Sequence, residues 1–189
     1  ACYGCWKRQI NARWTSIDNA DLTHDQRRAI KSSTDEASRL RKLQDEQDQT
    51  AVRKRCKELF TTGTKANREH PYLVKKGVRD YGNLRLSDSP SYPGWLALPL
   101  QDETGLIHSC QLIADDGAKK FAYRGRVQGC FFLLHKEPST PIIICEGYAT
   151  GASLHEATGW SVVCAMNCQN LIPVSKVIRA TNPAAVIII

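Results

Sequence analysis

Glu146 is the residue whose type and setting best suit chemistry in this chain. It follows directly on the apolar run Ile142-Ile143-Ile144-Cys145 and precedes Gly147. If that run is a buried parallel strand, its carboxyl end opens into the crevice where open α/β sheets collect ligands, and the glycine lets the backbone turn sharply. A carboxylate placed there can move a proton or help to hold a hard divalent cation. Its plainer use is to favour the positive end of a following helix. Lys119, Lys120, Arg124 and Arg126 crowd together upstream, and Lys75 with Lys76 closes the segment HPYLVKKG. These cations suit the phosphates of a template or nucleotide, against the plainer reading of solvated hairpin charges. Asn167 and Asn170, in the polar loop MNCQN, either line the same crevice or stabilise the loop.

Other constellations carry less. Cys2-x-x-Cys5 has half of a zinc-site spacing, but no second Cys or His pair follows at a usual distance and His24 stands alone, so zinc is not expected in this chain. Cys110, Cys130, Cys145 and Cys164 lie within apolar runs and read as reduced core thiols. Cys164 and Cys168 bracket a strand end with no histidine near them, which is packing rather than ligation. His155, beside Glu156, reads as a surface histidine. The glycines from Gly117 to Gly151 do not spell Gly-x-x-x-x-Gly-Lys, so no nucleoside-triphosphatase loop is visible.

The elements that must position these residues follow from spacing. From Thr23 to Phe60 the chain carries ten basic and seven acidic residues and neither Gly nor Pro. Apolar positions at Ile30, Ala37, Leu40, Val52, Cys56 and Leu59 predict one long helix with a narrow apolar stripe, opened by a Thr23/Gln26 capping box and stopped by Gly63. Pro71 opens and Gly77 closes a short helix. From Trp95 to Leu134, WLALPLQ, LIHSCQLIA, KKFAYRG and GCFFLL alternate with DETG and DDG turns, which predicts an antiparallel β region. From Pro141 the order becomes β-α-β-α-β: IIIC, a helix closed by Gly159, SVVCA, a helix from Pro173 to Thr181, and AVIII. Strands without polar alternation, joined by helices of about ten residues, pair in parallel with right-handed crossovers.

The wording Ile143-Ile144-Cys145-Glu146-Gly147-Tyr148-Ala149-Thr150, followed by SLHEATG and SVVCAMNCQNL, resembles the Toprim domain of phage and plasmid DNA primases. Bacterial replicative primases show a similar order, with a P-x-x-D-x-x-G segment and a Lys-aromatic motif before the Glu-Gly-Tyr strand end. Here Pro99 to Gly105 (with Asp102) and Lys120-Phe121 stand in those places. The resemblance is strongest from Trp95 to Ile189, and HPYLVKKG and YGCWKRQINARW resemble upstream parts of mobile-element primases. It implies template-directed nucleotidyl transfer, with Glu146 as general acid/base or metal-site carboxylate. It also implies Mg²⁺ or Mn²⁺ held by an Asp-x-Asp pair at the end of the third strand. The sequence stops at Ile189, before such a pair, so the expectation is a fragment that is catalytically incomplete by itself.

Composition agrees with a soluble nucleic-acid protein. Hydrophobic residues make up 42% and charged residues 24% of the 189, an ordinary globular balance, and the net charge of +7 favours a polyanionic partner. No apolar run is long enough to span a bilayer and no signal peptide is visible, so a cytoplasmic location and no membrane partner are expected. The expected fold class is α+β: a helical and antiparallel β N-terminal region on a truncated α/β Toprim sheet. The expected divisions are the tail of an upstream module at 1–22, the charged helix at 23–63, an α+β subdomain at 64–140 and a partial Toprim domain at 141–189. Expected partners are single-stranded DNA template and nucleotides, with a replicative helicase, fused or separate. Two rival readings stand beside this one: a DNA- or partner-binding module without catalysis, and a Toprim nuclease.

Overall fold

A computed structural model describes residues 2–5, 10–13, 17, 19–134 and 141–189. The chain divides into two compact units, residues 1–44 and 45–189. In the first, strands β1 (Cys2–Cys5) and β2 (Ile10–Arg13) form an antiparallel pair, and helix α1 (His24–Thr62) begins. The capping box predicted at its start is formed: the Thr23 N–H donates to Gln26 Oε1 at 2.9 Å and the Gln26 N–H to Thr23 Oγ1 at 3.3 Å. The side chains of Cys2 and Cys5, on which the zinc question turned, lie outside the described residues.

The predicted apolar stripe is not continuous. Val52, Cys56 and Phe60 are buried, whereas Ile30 and Leu40 are exposed. At about 100° per residue Val52, Cys56 and Phe60 fall on one side of the helix and Leu40 falls well round from it, while Ile30 lies about 40° from Val52 but in the first half of the helix, where every residue from His24 to Gln44 is exposed. The buried stripe is confined to the second half of the helix.

The second unit holds two four-stranded sheets. The first has the order β3 (Arg85–Leu86), β4 (Leu96–Gln101), β5 (Ile107–Ile113), β6 (Lys119–Phe121), all antiparallel. Side chains alternate between its faces. Ala97, Cys110 and Leu112 pack against Val52, Cys56 and Phe60 of α1, while Leu96, Leu98, Leu100 and Ile113 turn into the main core. The hairpin after β4 is pinned by Asp102, whose Oδ1 accepts from the Thr104 hydroxyl (2.6 Å) and the N–H groups of Thr104 and Leu106, while its Oδ2 lies 2.6 Å from His108 Nε2. Helix α2 (Pro71–Lys76) starts at Pro71 and ends at Gly77 in the left-handed conformation (φ 64°), as predicted.

The second sheet has the order β10 (Ile187–Ile188), β8 (Ile142–Cys145), β9 (Ser161–Cys164), β7 (Phe132–Leu133). β10, β8 and β9 run parallel, as the apolar runs required, and β7 joins β9 antiparallel. Thus the segment GCFFLL, read with the antiparallel region, is shared: Phe131 bridges Gln101 of β4 antiparallel, and Phe132 and Leu133 pair with β9. Helix α3 (Tyr148–Thr158) covers one face through Tyr148 and Ala152, and α4 (Leu171–Thr181) the other through Val174 and Ile178. The fold is α+β, and among the described residues no helix is long and apolar enough to cross a membrane.

Candidate functional site

The parallel order puts the carboxyl ends of β8 and β9 side by side, with Cys145 in register with Cys164. Glu146 is exposed, one residue beyond β8. Gly147 follows as the N-cap of α3, with extended backbone and no side chain of its own to cap the first N–H groups of the helix. The turn is seated on two thiols. Cys145 Sγ and Cys164 Sγ lie 3.6 Å apart, each within 3.6 Å of the Gly147 carbonyl oxygen. Burial and the Cys145 hydrogen bond push the Cys164 thiol well above its ordinary value. The cysteines at 110, 130, 145 and 164 are all buried and free, the reduced core thiols that their apolar settings predicted.

Lys119 comes to this turn from the other sheet. A methyl group built on Gly147 would lie 3.7 Å from Lys119 Nζ. The same thiol pair registers both charges: Cys145 is held below its ordinary value chiefly by the Cys164 hydrogen bond and Glu146 opposes this, while Lys119 opposes the rise of Cys164. Strand register explains why Lys119 arrives and Lys120 does not. Lys119 pairs with Ile113, which faces the main core, and Lys120 with Leu112, which faces α1.

The remaining predicted cations separate. The Arg124 guanidinium lies 2.6 Å from Asp48 Oδ2 and 3.6 Å from Asp45 Oδ1, both on α1. Arg126 Nε donates to the Gln128 carbonyl oxygen at 3.3 Å. Lys75 Nζ donates to the Asp116 carbonyl oxygen in the β5–β6 turn at 3.1 Å, and Lys76 is exposed at the end of α2. α2 nevertheless lies by the site: Tyr72 approaches Gly117, and its hydroxyl, raised by burial and by the Cys164 thiol, has the Ala149 N–H directed at it.

At the end of β9 a cavity of about 320 Å³ is lined by Val127, Gln128, Asn167, Gln169, Asn170 and Pro173. Asn170 is a loop-holding residue. Its Nδ2 donates to the carbonyl oxygens of Cys130 and Ala165, both at 2.8 Å, and its Oδ1 accepts from the Gly129 N–H at 2.8 Å. Asn167 Oδ1 in turn accepts from the Asn170 N–H at 2.9 Å.

Three features were not anticipated. Met166, at the head of this loop, is buried and left-handed (φ 71°), a conformation that costs a non-glycine residue of order 1 kcal/mol or more. Gln111 donates to the Met166 carbonyl oxygen at 3.3 Å across the two sheets, and its buried Oε1 has no partner. A glutamine in the otherwise apolar run CQLIA was the available signal. Tyr148 Oη donates to the Arg79 carbonyl oxygen at 2.7 Å and lies 3.3 Å from that of Tyr81, fixing the first turn of α3.

Among the described residues no group of three or more His, Cys, Asp or Glu side chains converges. Glu146 alone offers too few oxygens for Mg²⁺ or Mn²⁺, so the residues in hand do not make a complete site for either ion. What they offer is a carboxylate, an ammonium group and a helix start with a glycine N-cap at one strand end.

Over 189 residues the chain is 31% identical to a DNA primase TraC of Escherichia coli, an alignment that takes in 97% of this chain and 13% of the relative. A second DNA primase TraC of Escherichia coli is 32% identical over 123 residues, 63% of this chain and 11% of the relative. The chain therefore spans little more than a tenth of the length of these curated relatives, and its relationship is primase-like. No family model matches it. No solved structure matches it.

Proposed function

We propose that this chain is the strand-end part of a Toprim-type primase centre, in which Glu146 and Lys119 handle the reacting hydroxyl and the nucleotide phosphates during primer synthesis on single-stranded DNA. The observation that carries the reading is the identity to DNA primase TraC across 97% of the chain. The convergence of Lys119 and Glu146 on the Gly147 turn gives it a site. The reaction joins a primer 3′-oxygen to the α-phosphorus of an incoming nucleotide and releases pyrophosphate. Glu146 takes the hydroxyl proton, the Lys119 ammonium pairs with phosphate oxygens, and the start of α3 presents N–H groups to the same anion. Asn167 and Gln128 line the cavity beside it as contacts for a base or sugar, with Arg126 close by, and Lys75 and Lys76 extend the phosphate surface from α2. Mg²⁺ or Mn²⁺ belongs to the proposal as the charge-neutralising partner of the phosphates, needing oxygens beyond Glu146. A replicative helicase, fused or separate, belongs to it as the source of template.

Primer synthesis by the full-length protein tests the assignment. Glu146→Gln is expected to lower kcat by about 10²-fold or more, the usual worth of a positioned proton acceptor. Lys119→Gln is expected to raise the nucleotide KM by about tenfold or more, the worth of a charge-assisted contact, and to cost more than Lys120→Gln on the opposite face. Primer synthesis at the wild-type rate by Glu146→Gln, or a larger penalty for Lys120→Gln, would overturn the assignment.

A further inference from the structure

We infer that the first half of α1 is a nucleic-acid docking arm: Arg27, Arg28, Lys31, Arg39, Arg41 and Lys42 form one basic face that tracks the phosphates of single-stranded DNA. The choice of polyanion rests on the function proposed above; the surface itself is on a different element from Glu146 and Lys119.

Every residue of α1 from His24 to Gln44 is exposed, so the helix covers nothing in its own unit with this stretch. At about 100° per residue the six cations fall within an arc of about 160°, with Asp35 the one acidic residue among them. The opposite arc holds Ala29, Ile30, Ala37, Leu40 and Leu43 together with Asp25 and Glu36. Arg28, Lys31, Arg39 and Lys42 follow one another at three-, eight- and three-residue steps, with Asp35 midway, and so make a single ridge about 21 Å long at 1.5 Å per residue.

Acids stand three or four residues from several of these bases, as Asp25 does from Arg28, Asp35 from both Lys31 and Arg39, and Glu36 from Arg39, the spacing at which helix charges can neutralise each other. Among the described residues none of these six cations is in an ion pair, although Arg27 donates to the Ala20 carbonyl oxygen at 3.4 Å. In the later part of the same helix Asp45 and Asp48 take Arg124, a cation from outside the helix. A one-sided, unpaired row of cations gains affinity for a chain of phosphates by releasing the counterions condensed on it. The apolar arc opposite is thinly populated and broken by Ser33, Glu36 and Gln44. Charge therefore favours the polyanion over a second copy of the helix.

The test is fluorescence anisotropy of a labelled single-stranded oligonucleotide across a salt series, with two trios that lower the net charge equally. One, Arg28→Gln with Lys31→Gln and Lys42→Gln, empties the basic ridge. The other, Ala29→Glu with Ser33→Glu and Ala37→Glu, adds acid to the opposite arc. All of these replacements are good helix formers, and circular dichroism checks that helicity is unchanged. Each phosphate contact to a single strand contributes about 0.7 to the slope of log K against log salt, or about fivefold in affinity near 0.1 M. The basic trio should therefore flatten the slope by about 2 and weaken binding by about a hundredfold, and the other trio should leave the slope unchanged. Equal losses from both trios, an unchanged slope in the first, absence of oligonucleotide binding by the parent chain, or binding to phosphatidylserine vesicles in place of DNA would each overturn the inference. Glu146→Gln measured alongside separates the two proposals: it should keep the oligonucleotide affinity even where it stops primer synthesis.

Discussion

Gly151, inside α3, is the most exacting position next to the candidate site, and Gly151→Ala isolates what it does. An added Cβ would lie 2.5 Å from Cys164 Sγ, 3.1 Å from Cys145 Sγ and 3.3 Å from Leu134 Cδ1. The nearest contact is more than an ångström inside a comfortable carbon separation of about 3.5–4.0 Å, and Cys164 is fully buried, so its sulfur has nowhere to retreat. Overpacking of this kind costs about 1–3 kcal/mol. Against it stands a gain of about 1 kcal/mol, because alanine is the better residue for a helix interior. The net expectation is a change between about zero and a loss of about 2 kcal/mol from opposition of those two effects. Urea denaturation of Gly151→Ala, Cys164→Ala and the double variant measures it. Removing Cys164 Sγ should relieve the tightest of these contacts, so the two substitutions together should cost about 1–3 kcal/mol less than the sum of the single losses, a coupling expected of residues in direct contact. Gly151→Ala more stable than the parent, or strictly additive changes, would refute the idea that α3 is seated on the thiol pair.

Three further outcomes follow from the same contacts. Asn170→Ala strips three hydrogen bonds from a buried loop and leaves two carbonyls and an N–H without partners, so a loss of about 2–4 kcal/mol is expected by chemical denaturation. Burial would raise the Asp102 carboxyl, but the Thr104 hydroxyl, the His108 ring and the N–H groups of Leu106 and Thr104 outweigh it and hold the group at about 2 instead of 3.8. A depressed carboxylate stabilises the fold above its unfolded value and ceases to do so as pH falls. Stability should therefore decline between about pH 4 and pH 2, by at most about 2 kcal/mol because one edge of the pair reaches solvent, and Asp102→Asn should flatten that part of the profile. Tyr148→Phe removes the donor to the Arg79 carbonyl oxygen, and a loss of about 1 kcal/mol with faster amide exchange in the first turn of α3 is expected.

The parallel sheet was legible because its strands are short apolar runs without alternation and its first helix ends at Gly159, left-handed as a C-terminal glycine should be. The same logic located Glu146, since a polar residue one step past a buried run can only be at the strand end. What spacing did not disclose was which face each neighbour would take. Lys119 and Lys120 are adjacent in sequence and were grouped together; the β5–β6 register, known only once β6 is paired, sends them to opposite faces. β7 was misplaced for a related reason, because an antiparallel strand of two residues carries no mark of which sheet it will join. Asn170 and Gln111 show a third limit, as polar residues whose use depends on backbone groups far away in sequence.

These cross-sheet ties bear on how the site could be taken apart. Lys119 belongs to the antiparallel sheet and Glu146 to the parallel one, so the distance between their charges is set by how the two sheets pack. Three connections fix that packing beside the shared apolar core: the Gln111 bond to the Met166 carbonyl oxygen, the backbone bridge between Gln101 and Phe131, and the Tyr148 hydroxyl on the carbonyls of Arg79 and Tyr81. Each joins a residue before position 112 to one after position 130. Dividing the chain at the boundary near residue 140 would cut none of these bonds covalently, yet it would expose the core faces carrying Leu96, Leu98, Cys145 and Val162. A segment beginning at Pro141 would keep Glu146 and lose Lys119, β7 and most of the cover over β8, so the chemistry proposed for the strand end requires both sheets in one folded unit.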